Sequence, residues 1–465
     1  MTHFPTDSKS NSFAKLTTFE SQLGDYDIIT TQIGVMPCDK QGNVQKKHRG
    51  KSDDSFYQQH PELHLKFPRG YSRTKIMKDG QHVLEVITRG FFKFSGIREG
   101  DEDDSDAICT SLIPVDLETN YDTVLWTEKL NGKSVVLTSF KLHNKTYLLG
   151  GSKGVHRIID LDQPEESLSN LDSNSQKHVK PIFQLVLKQL AGLEEKKKDA
   201  FLARLAKGET VCGEYEDGKH LVTIEEETIK WFGIVNSRED FETQTSLTGD
   251  ILEDLEYLTN LGLPTPKFEV LTREEDRERS QTMRYQRNSE GVVKHYRNQD
   301  ETVFVQKAKT VPYVLIRVLR QIIMNNPPNF AVVCKTRLLD RNKFLRLPSK
   351  MLVVWYRLFL VFGDWFKSKE YTKIEVGINP ESRGMGEVWK QFLEETNSSD
   401  DFGDPTTYLE THPVEDTCLE ELNLDRLMVV IQGIQGSGKS TLADLTQKKY
   451  GEKCVTLEQD TFGGD

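Results

Sequence analysis

The sequence holds little that would anchor or cross-link it. No apolar run approaches the ~18–20 residues of a membrane span. Met1 to Ser12 is polar, without the basic-then-apolar order of a signal peptide. Cysteine is scarce: Cys38, Cys109, Cys212, Cys334, Cys418 and Cys454 are scattered through 465 residues with no Cys-x-x-Cys spacing. That argues against a zinc ribbon or a disulfide framework and for a reducing compartment. The expectation is an intracellular protein, cytoplasmic or nuclear, with no membrane and no disulfide-linked partner. Excess positive charge is also missing, since the formal net charge is −11, which does not advertise a nucleic-acid partner. The acids are clustered, however: Glu99 to Asp106 carries six in eight residues. Lys335, Arg337, Arg341, Lys343, Arg346 and Lys350 surround the single acid Asp340. A phosphate-binding face inside an acidic protein fits this segment, and a solvated helix face fits it equally.

At 465 residues the chain exceeds one compact core, and two to four domains are expected. Strand-like runs of β-branched and aromatic residues fall at 82–94, Thr123–Thr127, Ser134–Phe140, Thr146–Leu149, Thr210–Tyr215, His220–Ile224, Lys230–Val235, Glu290–Tyr296 and Thr302–Lys309. Asn144-Lys145 reads as a hairpin tip. The stretch Ile182 to Leu205 has helical apolar spacing, as do residues 249–262. No structure is assigned to Lys40–Gln59. After Pro312 the texture turns helical, at Tyr313–Met324, Met351–Phe366 and Gly386–Glu394.

Lys129 follows the apolar run Val124-Leu125-Trp126 and precedes Gly132 by three residues. A lysine at a strand end can become a nucleophile when burial beside other cations frees its lone pair. Gly132 would let backbone approach a phosphate where a Cβ would obstruct. Alone, Lys-x-x-Gly also fits an exposed hairpin lysine. Four further segments follow in order: Ser152-Lys153-Gly154, Cys212-Gly213-Glu214-Tyr215, Glu290-Gly291-Val292-Val293-Lys294, and Gln306-Lys307-Ala308-Lys309. Lys307 and Lys309 share one face of a strand.

That order resembles the covalent nucleotidyltransferases, polynucleotide ligases and capping enzymes, and most of all RNA ligases of the phage and fungal/plant tRNA ligase type. There a Lys-x-Asn-Gly nucleophile follows an upstream Arg-Gly, as Arg89-Gly90 precedes Lys129, and Lys307 to Tyr313 with Arg317 is similar to the tRNA ligase ending of the domain. The resemblance covers about residues 80–320. It implies ATP and Mg2+ (or Mn2+) as cofactors, with Lys129 attacking the α-phosphate to give lysyl-AMP. It further implies Lys307 and Lys309 stabilising charge on that phosphate, and Glu290 holding the metal. Glu214 would accept a hydrogen bond from the ribose, and Arg89 would contact the leaving phosphates or an RNA 5′ end. Glu128, Asn131, Gly132 and Lys153 would complete the nucleotide site. Trp231-Phe232 falls where these families place a ring against adenine, although ordinary core aromatics fit the pair equally. The departures are Cys212-Gly213 before Glu214, where relatives carry bulkier residues, and a 152–156 loop without a second Ser or Thr.

Gly433 to Thr441 matches Gly-x4-Gly-Lys-Ser/Thr in full, after the apolar run 427–432 and before a helical start at Leu442. Gly433, Gly438, Lys439, Ser440 and Thr441 would cradle phosphates, with Ser440 on a metal. Asp460, with Phe462 beyond it, resembles the proton-accepting aspartate of polynucleotide kinases. The later strands and basic lid of such a kinase are not in the sequence, so kinase activity is expected only of a longer parent protein.

The expected fold is α+β. Residues 1–312 form an adenylyltransferase domain of nucleotidyltransferase type with ATP-grasp-like antiparallel sheets. Residues 313–412 form a mainly helical module, and 413–465 begin an α/β P-loop domain. The expected function is ATP-dependent RNA ligation of the tRNA splicing or RNA repair type, with tRNA halves or broken tRNA as partner. The alternatives are an mRNA capping guanylyltransferase, a non-catalytic RNA-binding protein on a decayed nucleotidyltransferase fold, and a protein in which only the P-loop matters.

Overall fold

The computed structural model describes residues 14–35, 68–93, 120–171, 179–237, 250–299, 301–325, 328–369 and 384–396. The chain divides into two units, Met1–Pro413 and Val414–Asp465. The second unit, with the P-loop residues Gly433 to Asp460, and the acidic run 99–106 lie outside the described residues. In chain order come β1 (Ala14–Leu23), β2 (Tyr26–Val35), β3 (Ser72–Lys78), β4 (Gln81–Thr88), β5 (Thr123–Glu128), β6 (Lys133–Leu142), β7 (Lys145–Ser152) and β8 (Val155–Asp160). Three helices follow, α1 (Pro164–Ser169), α2 (Lys180–Ala191) and α3 (Glu195–Ala206), then β9 (Glu209–Glu216) and β10 (Thr228–Asn236). After α4 (Ile251–Leu261), β11 (Phe268–Thr272) and α5 (Arg273–Met283) come β12 (Gly291–Asn298) and β13 (Glu301–Lys309). The remainder is helical: α6 (Val311–Asn325), α7 (Phe330–Leu345), α8 (Ser349–Ser368) and α9 (Met385–Glu395).

The architecture is α+β, with three antiparallel sheets ordered β1-β2-β3-β4, β10-β9-β6-β7-β8 and β11-β5-β12-β13. Side-chain alternation sets what each face of the central sheet meets. Val135, Leu137, Val211, Tyr215, Ile229 and Trp231 pack with Ile182, Phe183, Phe201 and Leu205 of α2 and α3. The opposite face, through Val136, Cys212 and Val235, packs with Leu125 of β5 and with Ile251 and Leu255 of α4. Burial on both faces explains why Val135, Val136 and Leu137 of β6 run together without a polar residue between them. In the third sheet the outer face carries Val124, Trp126, Val292, Phe304 and Ala308, which turns Leu125, Thr127, Val293, Lys307 and Lys309 toward the central sheet. A cleft between two sheets results, and the chain crosses it between β5 and β6 at residues 129–132.

Several elements differ from expectation. The stretch 182–205 is two helices, because Gly192 caps α2 and α3 begins three residues later. The hairpin tip is His143-Asn144, at φ 47° and 64°. The strand expected at 220–224 is absent: the amides of Leu221 and Val222 donate to the Asn131 side chain instead of to a ladder. Strands β1 and β2 were not foreseen; their pairing, which continues through β3 and β4, builds a sheet that packs Ile28, Ile76 and Val86 against Phe140, Tyr147 and Leu149. Among the described residues, no helix is long and apolar enough to cross a membrane. Of the six cysteines, Cys212 and Cys334 are described, and both are buried free thiols.

Candidate active site

The turn 129–132 is held from both sheets. The Lys129 amide donates to the Gly291 carbonyl at 2.9 Å, extending the β5–β12 ladder by one residue. Gly132 comes so close to β9 that a Cβ there would overlap the Tyr215 carbonyl. Glycine is therefore required at 132 by the protein's own strand, and its amide is left to donate to Glu214 Oε1 at 3.1 Å. Gly291 has φ +138°, and a Cβ there would overlap the Ala308 carbonyl of β13. Two glycines thus let three strand ends converge on one lysine.

Lys129 Nζ lies 2.8 Å from Glu290 Oε1, and Lys309 Nζ lies 3.9 Å from the same oxygen. Asn131 Nδ2 donates to Glu290 Oε2 at 2.6 Å. Burial pushes the Glu290 carboxyl up, and the charges of Lys129 and Lys309 with the hydrogen bonds from Lys129 and Asn131 outweigh it, leaving the group below the usual carboxylate range. Glu214 is the reverse case. Burial pushes it up to about 7, against the lowering effects of Lys129, the Gly132 amide and Arg69, and Glu290 adds to the rise. The register sets the two expected cationic positions on β13. Lys309 pairs with Gly291, and buried Lys307 pairs with Val293, which itself faces Thr127.

Lys129, Asn131, Gly132, Glu214, Glu290 and Lys309 come together at one end of the cleft, with Lys307 one step further along the same face. Glu128 lies at the margin, 3.4 Å from Lys230, which also reaches Glu216 at 3.1 Å. Glu216 in turn accepts the Asn131 amide at 3.3 Å. Lys153 is exposed in the β7–β8 turn, which projects beyond the Ser152–Val135 pair at the same end of the central sheet.

Two expected contacts are corrected. Trp231 does not face the cleft. It lies in the helix-side core and its indole N–H donates to Gln189 at 2.8 Å. Alternation leaves Phe232 on the cleft face, against Phe91 with centroids 5.6 Å apart. Arg89 is 2 % exposed, with its backbone bonded to Thr210 and Cys212 of β9, so neither leaving phosphates nor an RNA 5′ end would reach it without a rearrangement. The arginine whose charge acts on Glu214 is Arg69, whose backbone pairs with Gly90 and Phe91. Sequence reasoning missed Arg69 and Lys230. Only the pairing of 69–70 with 90–91 brings Arg69 near, and no local motif encodes that.

No family model matches the sequence. No curated protein matches it either. Several solved structures do. An archaeal ATP-dependent RNA ligase aligns at 14% identity and TM-score 0.43, over 83% of this chain and 84% of its own. A putative ATP-dependent DNA ligase from Aquifex aeolicus aligns at 14% identity and TM-score 0.34, over 74% and 82%. Naegleria gruberi RNA ligase with PPi aligns at 12% identity and TM-score 0.29, over 65% of this chain and 98% of its own. None of these reaches a TM-score of 0.5.

Among the described residues, no group of three or more His, Cys, Asp or Glu side chains could hold a metal ion. Both Glu290 oxygens are engaged, Oε1 by Lys129 and Lys309 and Oε2 by Asn131, so Glu290 would hold a magnesium ion that keeps its waters only after Lys129 gives up that oxygen to a bound phosphate. Such an ion would supply Lewis-acid charge at the reacting phosphate.

Proposed function

We propose that this chain is an ATP-dependent RNA ligase of the tRNA splicing or RNA repair type, working through a lysyl-AMP intermediate on Lys129. The observation that carries the reading is the convergence of Lys129, Glu290 and Lys309 at a crossover between two sheets, a nucleophile, a carboxylate and a second cation within 4 Å. In the resting protein Glu290 holds the Lys129 ammonium. Nucleophilic attack needs the amine, so the ammonium proton must pass to solvent water and Glu290 must exchange its partner as the nucleotide binds. The nitrogen then bonds to the α-phosphorus of ATP as the bond to the bridging oxygen breaks, and pyrophosphate departs with that electron pair. Lys309, and Lys307 beside it, stabilise the negative charge that grows on the non-bridging oxygens. Glu214 in its ionised form accepts from the ribose, and Phe232 offers a ring to adenine. AMP passes next to an RNA 5′-phosphate, and a 3′-hydroxyl displaces it to seal the strand.

The cations of the helical segment give the RNA a place. Arg337, Lys343, Arg346 and Lys350 are exposed on α7 and at the start of α8, and Arg284, at the end of α5, donates to the Leu345 carbonyl. The domain division at residue 312, tRNA halves as substrate, and phosphate binding at Lys439 belong to the same reading. Incubation with α-labelled ATP and magnesium tests it. Label retained on the protein and lost in Lys129→Ala is expected. No adduct under any nucleotide or metal condition would sink the enzyme reading, and label from GTP in preference to ATP would move it to capping.

A further inference from the structure

The Asn131 side chain uses its full hydrogen-bonding capacity. Its Oδ1 accepts the amides of Leu221 and Val222 at 3.0 and 3.1 Å, and its Nδ2 donates to Glu290 at 2.6 Å and to the Tyr313 hydroxyl at 3.1 Å. A planar amide with four satisfied partners cannot rotate without breaking several bonds at once. Tyr313 is the third residue of α6, so this network joins the nucleophile turn to the first helix of the C-terminal segment. The last described helix grips the same network from the other side. The Gly386 amide of α9 donates to the His220 carbonyl at 2.8 Å. A Cβ at Gly384 or Gly386 would crowd the backbone of Lys219 or Leu221. The 219–222 loop is therefore clamped between Asn131 and α9, while Asn131 is clamped between that loop and α6.

We infer that Tyr313 is a positioning residue for the lysine-adenylation step: its hydroxyl, with the 221–222 amides, fixes the Asn131 amide and through it the Glu290 carboxylate beside Lys129. The helices α6 and α9 thereby set the geometry of the nucleophile. The inference rests on the ligase reading for its kinetic consequence, though not for the lock itself. Losing one partner of a buried hydrogen-bonded amide shifts an equilibrium by about tenfold. Tyr313→Phe is thus expected to slow lysyl-AMP formation about tenfold with the KM for ATP unchanged. Amide hydrogen exchange at Leu221 and Val222 should speed up by a similar factor in the protein without nucleotide.

The discriminating measurement is a double-mutant cycle in which single-turnover adenylation is compared across wild type, Tyr313→Phe, Asn131→Ala and the pair. If Tyr313 acts through Asn131, its loss costs nothing further once Asn131 is alanine. Additive losses, or a wild-type rate in Tyr313→Phe, overturn the inference. If wild type itself forms no adduct, the ligase reading fails. The exchange rates at Leu221 and Val222 then decide the lock alone: faster in Tyr313→Phe supports it, unchanged overturns it.

Discussion

At the scale of single residues, the site separates two carboxylates by their surroundings. Glu290 is ringed by donors and held ionised, whereas burial leaves Glu214 near neutrality. The raised Glu214 value has a definite sign. The folded chain binds this proton more tightly than the unfolded chain, so the stabilisation is full below about pH 4.5 and is lost as pH rises through about 7. Replacing the group by its neutral isostere removes that loss. Glu214→Gln should therefore melt close to wild type at pH 5 and gain on it at pH 8, measured by thermal unfolding without nucleotide. The pH–rate profile of adenylation should carry a limb near pH 7 that Glu214→Gln abolishes, because the ribose contact needs the ionised acceptor. Equal melting differences at both pH values would contradict the account of Glu214.

At the scale of elements, glycines rather than charged groups decide whether the strand ends meet. Gly291 combines a φ of +138° with backbone contact to β13. Gly291→Ala should cost on the order of 2–4 kcal/mol in denaturant unfolding and displace Glu290 from Lys129. Retention of wild-type stability would show that the strand end can relax. The motif pattern made these elements legible: β5, β6, β9, β12 and β13 each combine β-branched residues with an aromatic, and each carries its site residue at or near its end. What stayed hidden were relations between distant segments. Trp231 and Phe232 are neighbours in sequence, but alternation on β10 sends one to the core and the other to the cleft. The 220–224 run has strand composition, yet Asn131 takes the amides that a ladder would need. Strands β1 and β2 have exposed positions such as Leu16 and gain their sense only against Phe140 and Tyr147.

At the scale of the whole molecule, a net charge of −11 leaves Arg337, Lys343, Arg346 and Lys350 exposed within one segment, with Lys343 paired to Asp340 at 2.8 Å. If RNA lies there, Arg337→Glu with Lys350→Glu should weaken RNA binding about tenfold or more and flatten its dependence on salt, as measured by fluorescence titration. An unchanged salt slope would remove this segment from the RNA path. The chemistry sits deeper, at the crossover between the two sheets, where one lysine meets Glu290 and Lys309. It is tested most directly by locating the nucleotide on the protein. After incubation with ATP and magnesium, peptide mapping by mass spectrometry should find AMP on Lys129, in a linkage labile to acid as a phosphoramidate is. AMP on Lys153, Lys307 or Lys309, or on no lysine, would contradict the account.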